Sequence, residues 1–108
     1  WLPDTTTGIA RGGIRPVLPQ LHPNYPNPFG TGVASSATLV SYTLPRAAAV
    51  RLDVHDLLGR RVALLDDGFR EAGAHRIRFQ AAGLPAGQYF LVLRAGEFVR
   101  TRVMTVLR

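Results

Sequence analysis

From residue 38 onward, apolar and polar residues alternate with a period of two. Val40, Tyr42 and Leu44 alternate with Ser41 and Thr43, and Pro45 closes that run. Val50, Leu52 and Val54 alternate in the same way with Arg51, Asp53 and His55. Successive side chains of a β-strand point to opposite faces, so each run predicts a strand with one face on a core. Leu57-Leu58-Gly59-Arg60 predicts a turn with Gly59 at positive φ, and Val62–Leu65 a short strand that Asp66-Asp67-Gly68 ends. After a turn at Ala72-Gly73, Ile77 and Phe79 alternate with Arg76, Arg78 and Gln80. Leu84-Pro85-Ala86-Gly87 leads into Tyr89, Leu91 and Leu93. Arg94-Ala95-Gly96-Glu97 predicts a hairpin turn, and Phe98–Leu107 the last strand. By strand parity His55 and His75 face away from the core.

About six strands with turn signals at roughly 8–12-residue spacing, and no helical period, predict an all-β chain: a β-sandwich or barrel. Ala47-Ala48-Ala49 favours helix by composition. It is too short to nucleate one between Pro45 and the β-branched Val50, and a loop is expected there. The last strand stands apart. Val103-Met104-Thr105-Val106-Leu107 is apolar on both faces, so either both faces are covered or one is open to a partner by strand addition.

Upstream the pattern is different. Residues 1–20 carry no period and hold Thr5-Thr6-Thr7-Gly8, Arg11-Gly12-Gly13, Pro16 and Pro19, as expected of a linker or an extended segment from an upstream domain. Pro23, Pro26 and Pro28 then forbid a helix. Tyr25 and Phe29, set among those prolines, are expected to pack this segment against the domain, which therefore spans 21–108. The chain opens with Trp1 and has no Met before Met104, which suggests a fragment or a processed product.

Composition narrows the function classes. The 108 residues are 46% hydrophobic and 19% charged, the balance of one globular domain rather than of a disordered chain. There is no Cys, which removes disulfides, thiol chemistry and the thiolates on which most structural zinc sites rely. No apolar run approaches the roughly 20 residues of a membrane span. Net charge is +6 and every one of the 13 basic residues is Arg. Such a charge can serve an anionic partner. Here Arg60-Arg61 is the only adjacent pair, and Arg76, Arg78, Arg100 and Arg102 alternate with apolar residues as on a solvated strand face, a weak footprint for nucleic acid.

Catalytic patterns are weaker still. His22, His55 and His75 are scattered and lack metal-ligand spacing. His55-Asp56 with Ser35, Ser36 or Ser41 has no nucleophile elbow beside it. Asp66, Asp67, Glu71 and Glu97 fall in or beside expected turns rather than as a paired cleft. The glycines form no phosphate-binding motif. No enzyme activity, metal or cofactor is expected.

Several motifs in order point to a family. Asn24-Tyr25-Pro26-Asn27-Pro28-Phe29 resembles the opening of the type A C-terminal sorting domains of the Bacteroidota type IX secretion system. Val40–Pro45 is similar to that family's first strand. Val50–Val62 is similar to its V-x-L-x-V-Y-D-x-x-G-R-x-V pattern, with His55 in place of Tyr. Ala72-Gly73-Ala74-His75, Leu84–Tyr89 and Ala95-Gly96 also resemble its motifs, and Arg102 and Arg108 stand where Lys is usual. The charge is kept but the amine is not. The related sandwich of flagellar hook-capping proteins shares the G-R-x-V and G-x-Y segments and lacks the Pro-rich opening.

The resemblance implies an immunoglobulin-like antiparallel β-sandwich of six to seven strands, at the C-terminus of a secreted or cell-surface protein. It implies a sorting signal, read by an outer-membrane translocon and removed by a sortase-like peptidase, with a cargo domain upstream. Pro85, Gly87, Tyr89, Gly96, Arg102 and Arg108 become the expected recognition residues, and Tyr25, Pro26, Pro28 and Phe29 the packing residues of the Pro-rich segment. Arg60 is expected to anchor its turn by donating to loop carbonyls, and the Tyr89 hydroxyl to find a partner. The alternative is a structural or self-assembling surface module, in which residues 5–20 add as a strand to the next copy.

Overall fold

A computed structural model describes residues 18–30, 36–81 and 83–107. The expected linker thus lies outside the described residues up to position 17, as does Arg108. The described chain is all β: β1 Gln20–Leu21, β2 Phe29–Gly30, β3 Ala37–Leu44, β4 Ala48–His55, β5 Arg61–Arg70, β6 Gly73–Gln80, β7 Gly87–Ala95 and β8 Phe98–Leu107. One sheet has the order β1-β3-β6 and the other β2-β8-β7-β4-β5. Their apolar faces meet in one core. Val40, Tyr42, Leu44 and Phe79 come from the first sheet, and Phe29, Leu52, Val54, Leu91, Leu93, Met104 and Val106 from the second. This is a two-sheet β-sandwich. It has two more strands than the periodicity reveals, because β1 and β2 are two residues each, and β2 runs parallel to β8 in an otherwise antiparallel pairing.

Four local expectations are corrected. Ala48 and Ala49 belong to β4, paired with Arg70 and Phe69, so the alanine run is largely strand rather than loop. Cross-strand pairing overrides a helix preference that three residues cannot express.

Asp66-Asp67-Gly68 does not end β5. The pairing runs Leu52↔Asp66 and then Asp53↔Leu64, so Leu65 is an extra, bulged residue. The bulge carries the strand through the polar triplet and turns Asp66 inward. There the Asp66 carboxylate accepts from the Tyr42 hydroxyl at 2.7 Å and is forked by the Arg70 guanidinium. Burial alone would raise the Asp66 carboxyl, but the hydrogen bonds from Arg70 and Tyr42 outweigh it and hold it below the usual carboxylate range. Burial, and then donation to Asp66, push the Tyr42 phenol well above an ordinary tyrosine.

His75 is in inward register. It pairs with buried Tyr42, and their rings stack at 5.1 Å. Finally, Arg100 and Arg102 are not on the outer strand face. They stand opposite Leu93 and Leu91, so both project from the inner face of β8, on the same side as buried Met104 and Val106. Arg100 is half-buried there, and Arg102 stays exposed. The outward Val103 and Leu107 of that strand are exposed as well.

The Asp66 site gives a prediction for pH. A depressed folded-state value contributes stability above the unfolded value, near pH 4, and that contribution fades as pH falls through the lower folded value. Asp66→Asn should cost about 1–3 kcal/mol at neutral pH, the scale of hydrogen bonds to a charged group. In urea melts the gap to the parent should narrow below about pH 4. A constant gap would remove the ionised carboxylate from the account.

Candidate recognition surface

Each expected recognition residue within the described range has a defined place. The loop from Leu84 turns at Gly87, whose φ of 150° lies in the region that favours glycine, and enters β7. Tyr89 then points inward, and its hydroxyl donates to the Pro85 carbonyl at 2.6 Å. A tyrosine near the start of a strand, tied to backbone a few residues upstream, has the geometry of a tyrosine corner. One such bond contributes about 1 kcal/mol and fixes the loop.

Against that loop lies the turn between β4 and β5. Asp56 builds it: Oδ1 accepts from the amides of Leu58 and Arg60, each at 2.9 Å, and Oδ2 accepts from Arg60 Nε at 2.9 Å. Arg60 therefore anchors the turn through a carboxylate, not through loop carbonyls as expected. The Arg60 amide first, with its side chain and the Leu58 amide, holds the Asp56 carboxyl below the usual range. Gly59 sits at φ 85°, as expected. The two segments enclose a cleft of about 280 Å³ lined by residues that include Asp56, Arg60, Pro85, Gly87 and Tyr89. Leu57 and Leu58 also line it and are exposed, Leu58 to 79%.

The other expected residues are elsewhere. Gly96 forms the β7–β8 hairpin turn at the opposite end of β7, a strand that spans roughly 27 Å at the usual rise per residue. Arg102 lies on the inner flank of β8, its Nε donating to the Leu21 carbonyl at 2.9 Å. The structure thus brings Pro85, Gly87 and Tyr89 together with the Asp56–Arg60 turn, and leaves Gly96 and Arg102 apart.

The Pro-rich segment is part of the fold. Phe29 is fully buried and meets Phe79 edge-on at 6.1 Å. The Pro26 carbonyl accepts from the Thr38 hydroxyl at 2.8 Å, while Pro28 is exposed. Tyr25 corrects the expectation. Its backbone exchanges two hydrogen bonds with Leu39, but the residue is 81% exposed. The side chain that packs inward instead is Asn24, whose amide donates to Thr38 and to the Pro26 carbonyl. Periodicity does not single out Asn27 either. Its side-chain amide donates to the Val103 carbonyl and accepts from the Thr105 amide, pairing with the edge of β8 as a peptide group would. An Asn between two prolines is the available signal, since Pro supplies no N–H and a neighbouring side chain can stand in.

The histidines are dispersed. His22 bonds Thr43, His55 bonds Asp53 rather than Asp56, and His75 bonds the Glu71 carbonyl. Ser41 and His55 lie in different sheets. Among the described residues no group of three or more His, Asp or Glu is placed to hold a metal ion, and no helix is long and apolar enough to cross a membrane. No family model, curated protein or solved structure matches this chain.

Proposed function

We propose that this domain is a C-terminal sorting signal, recognised as a folded unit by an outer-membrane secretion translocon that carries an upstream cargo to the cell surface. It performs no catalysis and needs no cofactor. The ordered motifs that resemble type A sorting domains carry the reading. One structural observation supports it: two of those motifs, the Asp56–Arg60 turn and the Leu84–Tyr89 segment, line a single cleft with exposed Leu57 and Leu58 beside it. Exposed leucines on a turn held rigid by Asp56 suit a docking contact, because little conformational entropy is lost when a partner covers them.

The test is a reporter fused upstream of the full chain in a host with type IX secretion. The reporter should reach the cell surface or the medium. Leu57→Asp with Leu58→Asp should leave the urea midpoint near the parent, both side chains being exposed, and cut export several-fold. Retention of the intact fusion in the periplasm would sink the sorting reading and leave the surface-module alternative.

A further inference from the structure

Two arginines on the inner face of a sandwich need a reason. Arg100 and Arg102 stand where core side chains would be, opposite Leu93 and Leu91. The two-residue β1 and the residues beside it lie next to them, and the guanidiniums reach across to that backbone. Arg100 Nε donates to the Pro19 carbonyl at 3.1 Å, and Arg102 Nε to the Leu21 carbonyl at 2.9 Å. Arg100 Nη1 donates to the Val99 carbonyl at 3.0 Å, and its guanidinium carbon lies 5.6 Å from the Phe98 ring centre. Each guanidinium is thus tethered through its Nε before any ligand arrives. Arg100 Nη2 and both terminal nitrogens of Arg102 make no hydrogen bond among the described residues.

These groups line a cleft of about 390 Å³ together with Pro19, Gln20, Leu21 and His22. Among the described residues no carboxylate lines it. The described ion pairs take up Arg51, Arg60, Arg61 and Arg70, and among the described residues Arg100 and Arg102 have no ion-pair partner. Their Cα atoms, two residues apart on one strand face, are roughly 7 Å apart. Both guanidiniums line the one cleft, where a single tetrahedral oxyanion can accept from the two side chains.

We propose that the cleft between β1 and β8 binds a phosphate monoester, with Arg100 and Arg102 as its two forks. Phosphate is favoured over carboxylate because it offers three terminal oxygens to the three free guanidinium nitrogens, whereas a carboxylate offers two. The phosphate source is a lipid headgroup or a soluble phosphate, and the site does not depend on the sorting reading.

The test uses the full chain. Inorganic phosphate is titrated while the side-chain Nε–H signals of the arginines are followed by NMR, and binding to phosphatidylcholine vesicles is measured with and without phosphatidic acid. Arg100 and Arg102 signals should shift saturably while those of Arg76 and Arg78, on the outer face, stay still. Arg100→Gln with Arg102→Gln should weaken binding at least about tenfold, the loss of one to two charge-assisted bonds, and Arg76→Gln with Arg78→Gln, equal in charge, should not. Response to inorganic phosphate assigns a soluble ligand. Response only to phosphatidic acid vesicles, with the same pair of signals and variants, assigns a lipid headgroup. Equal loss in both double variants, or no response to either probe, overturns the proposal.

Discussion

Phe29→Ala should cost the domain about 3–5 kcal/mol, the range for emptying a buried aromatic position, and Tyr25→Ala less than about 0.5 kcal/mol. The two aromatics sit four residues apart in the same Pro-rich segment, yet one is fully buried and the other 81% exposed. Phe29 touches Phe79 across the sandwich and starts the parallel pairing with Val106. Its loss leaves a cavity between the sheets that close-packed neighbours fill only in part. Tyr25 contributes its backbone to the Leu39 bridge, which alanine keeps. Urea or thermal melts of the two variants check this directly. Similar losses from both would mean that the Tyr25 ring packs in solution.

The second large effect is at Gly30, where alanine should cost about 2–5 kcal/mol by adding backbone strain to a steric clash. Its φ of 128° already disfavours any side chain. A Cβ there would also fall well inside contact distance of the Leu107 carbonyl oxygen and only 3.0 Å from the Leu107 amide nitrogen. Backbone atoms cannot swing aside as a flexible side chain can. Gly59→Ala is the control. At φ 85° it carries strain but nothing lies within 4 Å of the new methyl, so it should cost about 1 kcal/mol. Equal midpoint shifts would mean that β2 and β8 do not lie as closely as described.

The fold was legible wherever a strand obeyed simple alternation. Val40, Tyr42, Leu44, Val50, Leu52, Val54, Leu91 and Leu93 are all inward, as period two requires. Legibility failed at the departures from that period. The bulge at Leu65 shifts the parity of β5, so a polar triplet that suits a turn lies inside a strand. Arg100 and Arg102 alternate correctly, but alternation says which residues share a face and not which face is inner. Their partners Leu93 and Leu91 decide that, and register between strands is a long-range fact. Of the candidate site, the tyrosine corner was foreshadowed by Gly87 and Tyr89. The Asn24 and Asn27 contacts were not, because both residues lie between β1 and β2, outside any alternating run.

The asparagine clamp bears on synthesis. Asn27 bonds Val103 and Thr105, 76 and 78 positions away, and Phe29 pairs with Val106. Domains emerge from the ribosome N-terminal end first, at about 5–20 residues per second. The Pro-rich segment therefore has no β8 edge to dock on until the last of the described strands has been made. Until then Phe29 has no finished pocket and the sandwich stays unsealed along that side. Closure is a late event that joins the two ends of the domain in one step, so a nascent chain stalled before Val103 should remain open to proteases and chaperones along that seam.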